Sequence, residues 1–277
     1  MLKQRIITAL ALLAVLLPAV FYRASEPFVG VATLMLAAAG WEWARLNGWS
    51  NALSKALGIG LGACLVIFAG LGGLSHDWPR LWLVAGLLWV VLGALTLNRG
   101  VVGWTRWPAW LRLAMGLLML SIAWLALIQA RQRGIGFLLS ALTLVWMADV
   151  AAYAGGKTFG RRKLAPNLSP GKSWEGALSG ALGVMALGVV WIWIDRQGWS
   201  DSLSLFSLLW AQGPVWALLA VVGLSAMSVV GDLLESLVKR SAGMKDSSQL
   251  LPGHGGVLDR VDALLPVLPL AMLLTQL

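Results

Sequence analysis

Residues 214–276 read PVWALLAVVGLSAMSVVGDLLESLVKRSAGMKDSSQLLPGHGGVLDRVDALLPVLPLAMLLTQ. Two apolar runs flank a polar block, Gly231 to Asp262, that holds Asp232, Glu235, Lys239, Arg240, Lys245, Asp246, His254, Asp259, Arg260 and Asp262. Charged groups at the border of a bilayer are expensive and persist where they pair with one another or serve a ligand. The pattern predicts two membrane helices, 214–234 and 257–276, joined by a polar loop over 235–256.

The same alternation continues toward the N-terminus. The 277 residues are 59% hydrophobic and 12% charged, with a mean hydropathy of +0.80. A soluble domain carries roughly twice that charge. Apolar segments of spanning length, about twenty residues at ~1.5 Å each, recur at 6–22, 28–46, 53–75, 80–97, 110–129, 135–155 and 175–194. The expected fold class is all-α: a polytopic integral membrane protein of nine transmembrane helices. Residues 1–134 form an N-terminal set, and residues 135–277 a catalytic region with polar loops at 156–174 and 235–256. Leu203–Trp210 either lies in the interface or extends the eighth helix. Lys3 and Arg5 ahead of the first run resemble a signal-peptide start, but no small-residue cleavage site follows, so the run reads as a retained first helix.

Nine spans put the N-terminus and both polar loops on one side. Of the 21 Lys and Arg, only Arg23, Arg80, Arg131, Arg133 and Arg196 fall on the other. The positive-inside rule then places the N-terminus and both loops in the cytoplasm; with the compact length, this asymmetry points to a bacterial inner membrane, an organelle membrane being the alternative. It also accounts for the net charge of +9 without nucleic acid as a partner. Cys64 is the single cysteine, which excludes a disulfide or a Cys-based zinc site within the chain. Trp41, Trp43, Trp49, Trp78, Trp104, Trp107, Trp110, Trp174 and Trp199 fall near helix ends and are expected as interfacial anchors. Trp89, Trp124 and Trp146 fall inside helices and are expected to pack. The first five helices carry few polar groups, Glu42 at the cytoplasmic end of the second being the exception.

The first polar block runs from Asp149 to Glu175, DVAAYAGGKTFGRRKLAPNLSPGKSWE. Asp149 and Tyr153, four apart, share a face at the end of the sixth span, and the helix is expected to break at Gly155-Gly156. Lys157, Arg161, Arg162 and Lys163 follow, either as phosphate ligands or as topogenic charge. Asn167 opens NLSPGKSWEG; Ser173 can cap the next helix, so that Ser169, Lys172 and the helix N-terminus form a phosphate cradle. Gly171-Lys172-Ser173 is not a Walker A loop. That loop needs a glycine five residues earlier and a preceding strand, whereas Pro166 stands there with no strand pattern upstream.

In the second block Asp232, Glu235, Ser236 and Lys239 fall on one stripe of a helix. Asp259 and Asp262 share a face of the next. Carboxylates on facing helices can bracket hard cations together with phosphate oxygens. Arg240, Lys245 and Arg260 supply positive charge for phosphates. His254, in the glycine-rich PGHGG, reads as a positioning residue rather than a metal site. A salt-bridged structural loop is the plain alternative.

At these residues the chain resembles a known family. Ser236-Leu-Val-Lys-Arg, Lys245-Asp246 and His254-Gly-Gly-Val-Leu-Asp-Arg-Val-Asp262 are similar to the C-terminal signature of phosphatidate cytidylyltransferases; SPGKSWEG at 169–176 and GDLLES at 231–236 resemble two further motifs. Val150 and Ser173 depart mildly from the pattern. The resemblance implies an integral membrane enzyme joining CTP and phosphatidic acid into CDP-diacylglycerol and pyrophosphate, with Mg²⁺ and a monovalent cation such as K⁺ at a shared metal centre, and a homodimer. Carried over, Asp232 and Asp259 bind metal, and Asp262 on the same face joins them. Lys239 and Arg240 act with these acids in catalysis. Ser236, the Ser169–Lys172 segment, Asp149, Asn167, Lys245, Asp246, His254 and Arg260 line the substrate pocket. The alternatives are another CTP-dependent lipid transferase, a lipid kinase, or, in a different class, an ion or anion transporter. A transporter fits poorly, because the polar groups gather on one side rather than along a path.

Overall fold

The computed structural model describes residues 2–276 and their side chains from Gln4 onward; the side chain of Lys3, counted above among the N-terminal charges, lies outside the described residues. The chain runs through α1 (Leu2–Phe21), α2 (Glu26–Leu46), α3 (Asn51–Gly70), α4 (Pro79–Thr105), α5 (Ala109–Arg133) and α6 (Ile135–Phe159). A hairpin of β1 (Lys163–Ala165) and β2 (Ser169–Ser173) follows. Then come α7 (Trp174–Arg196), α8 (Leu205–Ala211), α9 (Pro214–Ser241), α10 (Leu258–Val261) and α11 (Leu264–Leu274). The fold is all-α apart from this antiparallel pair. Among the described residues seven helices, α1, α3, α4, α5, α6, α7 and α9, are long and apolar enough to cross a bilayer, as expected of an integral membrane protein.

Helix α9 is central, packing on α4, α7, α8 and α11. Small residues bring the helices close. A β-carbon at Gly176 or Gly180 of α7 would stand 2.8 and 2.9 Å from the Ala152 and Ala148 carbonyl oxygens of α6. Close backbone approach through small residues is how membrane helices gain dispersion energy when lipid is as apolar as their own side chains.

Several expectations are corrected. The single span over 257–276 is two helices, with Asp262 and Ala263 between them. The two residues that join α10 to α11 keep helical backbone angles, Asp262 at φ −49°, ψ −50° and Ala263 at φ −70°, ψ −26°. Leu265 to Met272 are buried against neighbouring helices, so α11 is a core helix. Helix α6 does not break at Gly155-Gly156 but continues to Phe159; a β-carbon at Gly155 would overlap Ser179 of α7, so this glycine serves the interhelical contact. Leu203–Trp210 does not extend α9: most of it forms the separate short helix α8, capped by Ser204. A short hairpin appears before α7 where no strand pattern is legible. Trp43 and Trp104 are buried and meet edge to face at 6.0 Å, whereas Trp146 is 55% exposed. Position along a helix predicts depth but not the face presented.

Contacts sort the loops by face. Thr8 Oγ1 donates to the Pro252 carbonyl at 2.9 Å, and Arg240 Nε reaches the Leu168 carbonyl at 3.5 Å. The start of α1, the hairpin and the 242–257 loop therefore share one end of the bundle. At the other end Arg131 donates to the Val20 and Tyr22 carbonyls, and Asp201 accepts from the Ile135 and Gly136 N–H groups.

Candidate active site

Three pieces of backbone build the polar end: the C-terminal turns of α6, the hairpin with the first turn of α7, and the C-terminal half of α9 with the α9–α10 loop. Ser173 caps α7, its hydroxyl accepting from Gly176 N–H at 3.1 Å. Glu175 accepts from the Arg161 and Arg162 N–H groups at 3.1–3.3 Å, tying the basic run to the same helix start. Gly171 and Lys172 lie within β2, so the Gly-Lys-Ser triplet is extended and forms no phosphate-wrapping loop.

The hairpin presents Lys172 to α9, where its ammonium pairs with Asp232. Asp232 also accepts from Ser236 at 3.3 Å. Around this pair lies a cavity of about 340 Å³ lined by Asp149, Tyr153, Ser169, Lys172 and Asp232, with Ala148, Ala152, Ala177 and Val229 as apolar wall. Asp149 and Tyr153 thus share a face, as their spacing predicts.

One helical turn further along α9 a second network begins. Lys239 pairs with Glu235 of its own helix and donates to Asp259 Oδ1 at 2.6 Å. Asp259 Oδ2 accepts from Ser247 N–H at 2.9 Å, Ser247 Oγ at 2.7 Å and Gly256 N–H at 2.8 Å. Burial works to raise the Asp259 carboxyl, but these donors, Lys239 foremost, outweigh it and hold it at about 2. Glu235 is almost fully buried with Lys239 as its ion-pair partner.

Asp262 joins the two networks. A β-carbon at Gly231 would overlap the Asp262 carbonyl and stand 3.0 Å from Ala263 Cα, so glycine at 231 lets α9 lie directly on the α10–α11 turn. Burial, then the nearby Asp232 and Asp149, raises the Asp262 carboxyl above the ordinary carboxylate range. Three acids that repel one another, offering only oxygen donors, suit a hard cation. Among the described residues no three His, Cys, Asp or Glu side chains already stand as a metal cluster.

The remaining expected residues are spread around this centre. Arg240 bonds the Met244 and Leu168 carbonyls, holding the hairpin and the loop to α9. Arg260 donates to the His254 carbonyl at 2.7 Å. Lys245 and Asp246 line a separate cleft of about 580 Å³ with Trp41, Arg45 and Gln249. Asn167 is exposed in the hairpin turn and is not among the residues lining the Lys172 cavity. Sequence reasoning missed Ser247, which holds Asp259, and Ser248, because serines carry no charge signal. It also left Glu42 without a role. That side chain is fully buried against the α9–α10 loop.

A profile described as the Cytidylyltransferase family matches residues 3–277. The chain is 41% identical to a phosphatidate cytidylyltransferase of Pseudomonas aeruginosa, over 97% of this chain and 95% of that protein. It is 31% identical to one of Haemophilus influenzae, over 97% and 96%. Against one of Brucella suis, 48% identity covers 44% of this chain and 40% of the relative.

Proposed function

From its place in the cytidylyltransferase family, to which the chain belongs, we infer that it transfers the cytidylyl group of CTP to phosphatidic acid, giving CDP-diacylglycerol and pyrophosphate. A phosphate oxygen of the lipid forms the new bond to the α-phosphorus of CTP, and the bond from that phosphorus to the bridging oxygen of the leaving pyrophosphate breaks. Both reactants are anions, so repulsion is the obstacle. The lipid phosphate is already largely ionised near neutral pH, and no protein nucleophile is required.

The residues of the cavity answer that obstacle. Lys172 holds a positive charge beside Asp232 at the mouth between α6, α7 and α9. A phosphate entering there can take Lys172 from Asp232, freeing the carboxylate for a cation. The apolar wall of Ala148, Ala152, Ala177 and Val229 is continuous with membrane helices, so acyl chains remain in lipid while the headgroup reaches Lys172. Mg²⁺, with K⁺ as a companion, would be held by Asp232, Asp262 and the free lone pair of Asp259 Oδ1, and would neutralise the triphosphate. Arg240 and Arg260 keep the surrounding loops in place, and Ser236 orients Asp232. The polar end faces the cytoplasm, where CTP is found.

The observation that carries this reading is the Lys172–Asp232 pair, which closes two polar blocks of distant sequence on one cavity. The test uses purified protein in phosphatidic-acid micelles with labelled CTP. Lipid-soluble label should form with Mg²⁺ and disappear with a chelator. Label formation that is indifferent to the chelator would remove the metal from the scheme.

A further inference from the structure

Glu42 belongs to α2, in the half of the chain that supplies none of the cavity. Its side chain is fully buried. One carboxylate oxygen accepts from Leu258 N–H at 2.7 Å; the other accepts from Val257 N–H at 3.1 Å and from the Ser248 hydroxyl. Ser247 Oγ lies 3.2 Å from Glu42 and 2.7 Å from Asp259. A hydroxyl has one proton to give, and the shorter contact goes to Asp259. A β-carbon at Gly256 would overlap both Glu42 and Ser247, so glycine there lets the carboxylate enter the loop.

These contacts have a direction. Val257 and Leu258 begin α10, whose own N-cap residue supplies no side-chain bond. Helix starts leave N–H groups without partners, and an acidic oxygen satisfies them. Glu42 therefore caps α10 from another helix, more than two hundred residues away in sequence. Helix α10 carries Asp259 and Arg260 and leads into Asp262. Arg45, one turn on, donates to the Ser247 carbonyl and grips the same loop.

We propose that Glu42 is a positioning residue for cytidylyl transfer: by tying the middle of the α9–α10 loop, at Ser248, to its C-terminal end, at Val257 and Leu258, it sets where Asp259 and Asp262 stand relative to Asp232. This rests on the functional reading above. Groups displaced by ~1 Å can lose about 10²-fold in rate, so the effect belongs in kcat, while substrate contacts and KM are left nearly intact.

The experiment compares the full-length enzyme with Glu42→Gln, which keeps shape but turns a carboxylate oxygen into a donor facing donors. Expected are a kcat lowered by about 10–100-fold, KM for CTP and for phosphatidic acid within about twofold, an unfolded fraction too small to explain the loss, and faster amide exchange at residues 257 and 258. Unchanged kcat, unchanged exchange, or a loss of activity matching the loss of folded protein would each overturn the proposal. Should Glu42→Gln not fold, Ser248→Ala carries the test, since it removes one donor and leaves the backbone contacts; a several-fold fall in kcat supports the clamp and unchanged kcat overturns it. Wild-type protein that makes no CDP-diacylglycerol would sink the functional reading instead, and the exchange result would still report on the clamp.

Discussion

Asp232 and Asp259 face the same helix end yet live in opposite surroundings. Asp259 is closed in: three loop donors converge on it and Lys239 completes its charge. Asp232 is open: one lysine from a hairpin and one hydroxyl touch it, and a cavity lies beyond. The difference separates what is already built from what waits for substrate. A carboxylate held by several protein donors fixes the loop that carries it, whereas one with few donors can exchange a lysine for a cation and a phosphate.

Substitutions can break this contrast, in order of expected size. Asp232→Ala should lower cytidylyl transfer by roughly 10³-fold or more with little change in melting, since charge stabilisation aimed at the reacting group is among the largest single contributions. Near-normal turnover would remove Asp232 from the chemistry. Asp259→Ala should act on stability first. It takes one of two partners from the largely enclosed Lys239 and strands three loop donors, and breaking a buried pair costs about 3–5 kcal/mol. Thermal unfolding in detergent checks this, and an unshifted transition would mean that the network is ornamental. The sign of its pH dependence follows from the depressed carboxyl. Its contribution is fully present above the unfolded value near 4 and is lost as pH falls toward about 2. The gap between wild type and Asp259→Asn should therefore hold steady at neutral pH and narrow in acid. Asn167→Ala, outside both surroundings, should change turnover by less than about twofold, close to the floor for exposed positions. A large loss there would extend the site into the hairpin turn.

Much of this was legible in the chain. The apolar runs and charge asymmetry announce membrane helices, because lipid leaves the backbone few other choices. The i, i+3, i+4 and i+7 spacing of Asp232, Glu235, Ser236 and Lys239 puts them on one stripe, because helix geometry is local. Asp149 and Tyr153 follow the same rule and share the cavity. Other features are not local. Nothing in the run 257–276 shows where it divides into α10 and α11. The Gly155-Gly156 pair reads as a helix breaker until Ser179 is seen against it. Trp43 sits at a helix end yet turns inward to Arg112.

Local periodicity and the expense of charge in lipid thus determined, from the residues alone, that helices form, where polar groups gather and which chemistry suits them. Only the tertiary structure decided which lysine meets which acid. Lys172 reaches Asp232, Lys239 divides itself between Glu235 and Asp259, and Glu42 crosses from α2 to cap α10. Such pairings depend on how closely helix backbones approach, and that is set by the small residues between them, whose partners no one-dimensional pattern can name.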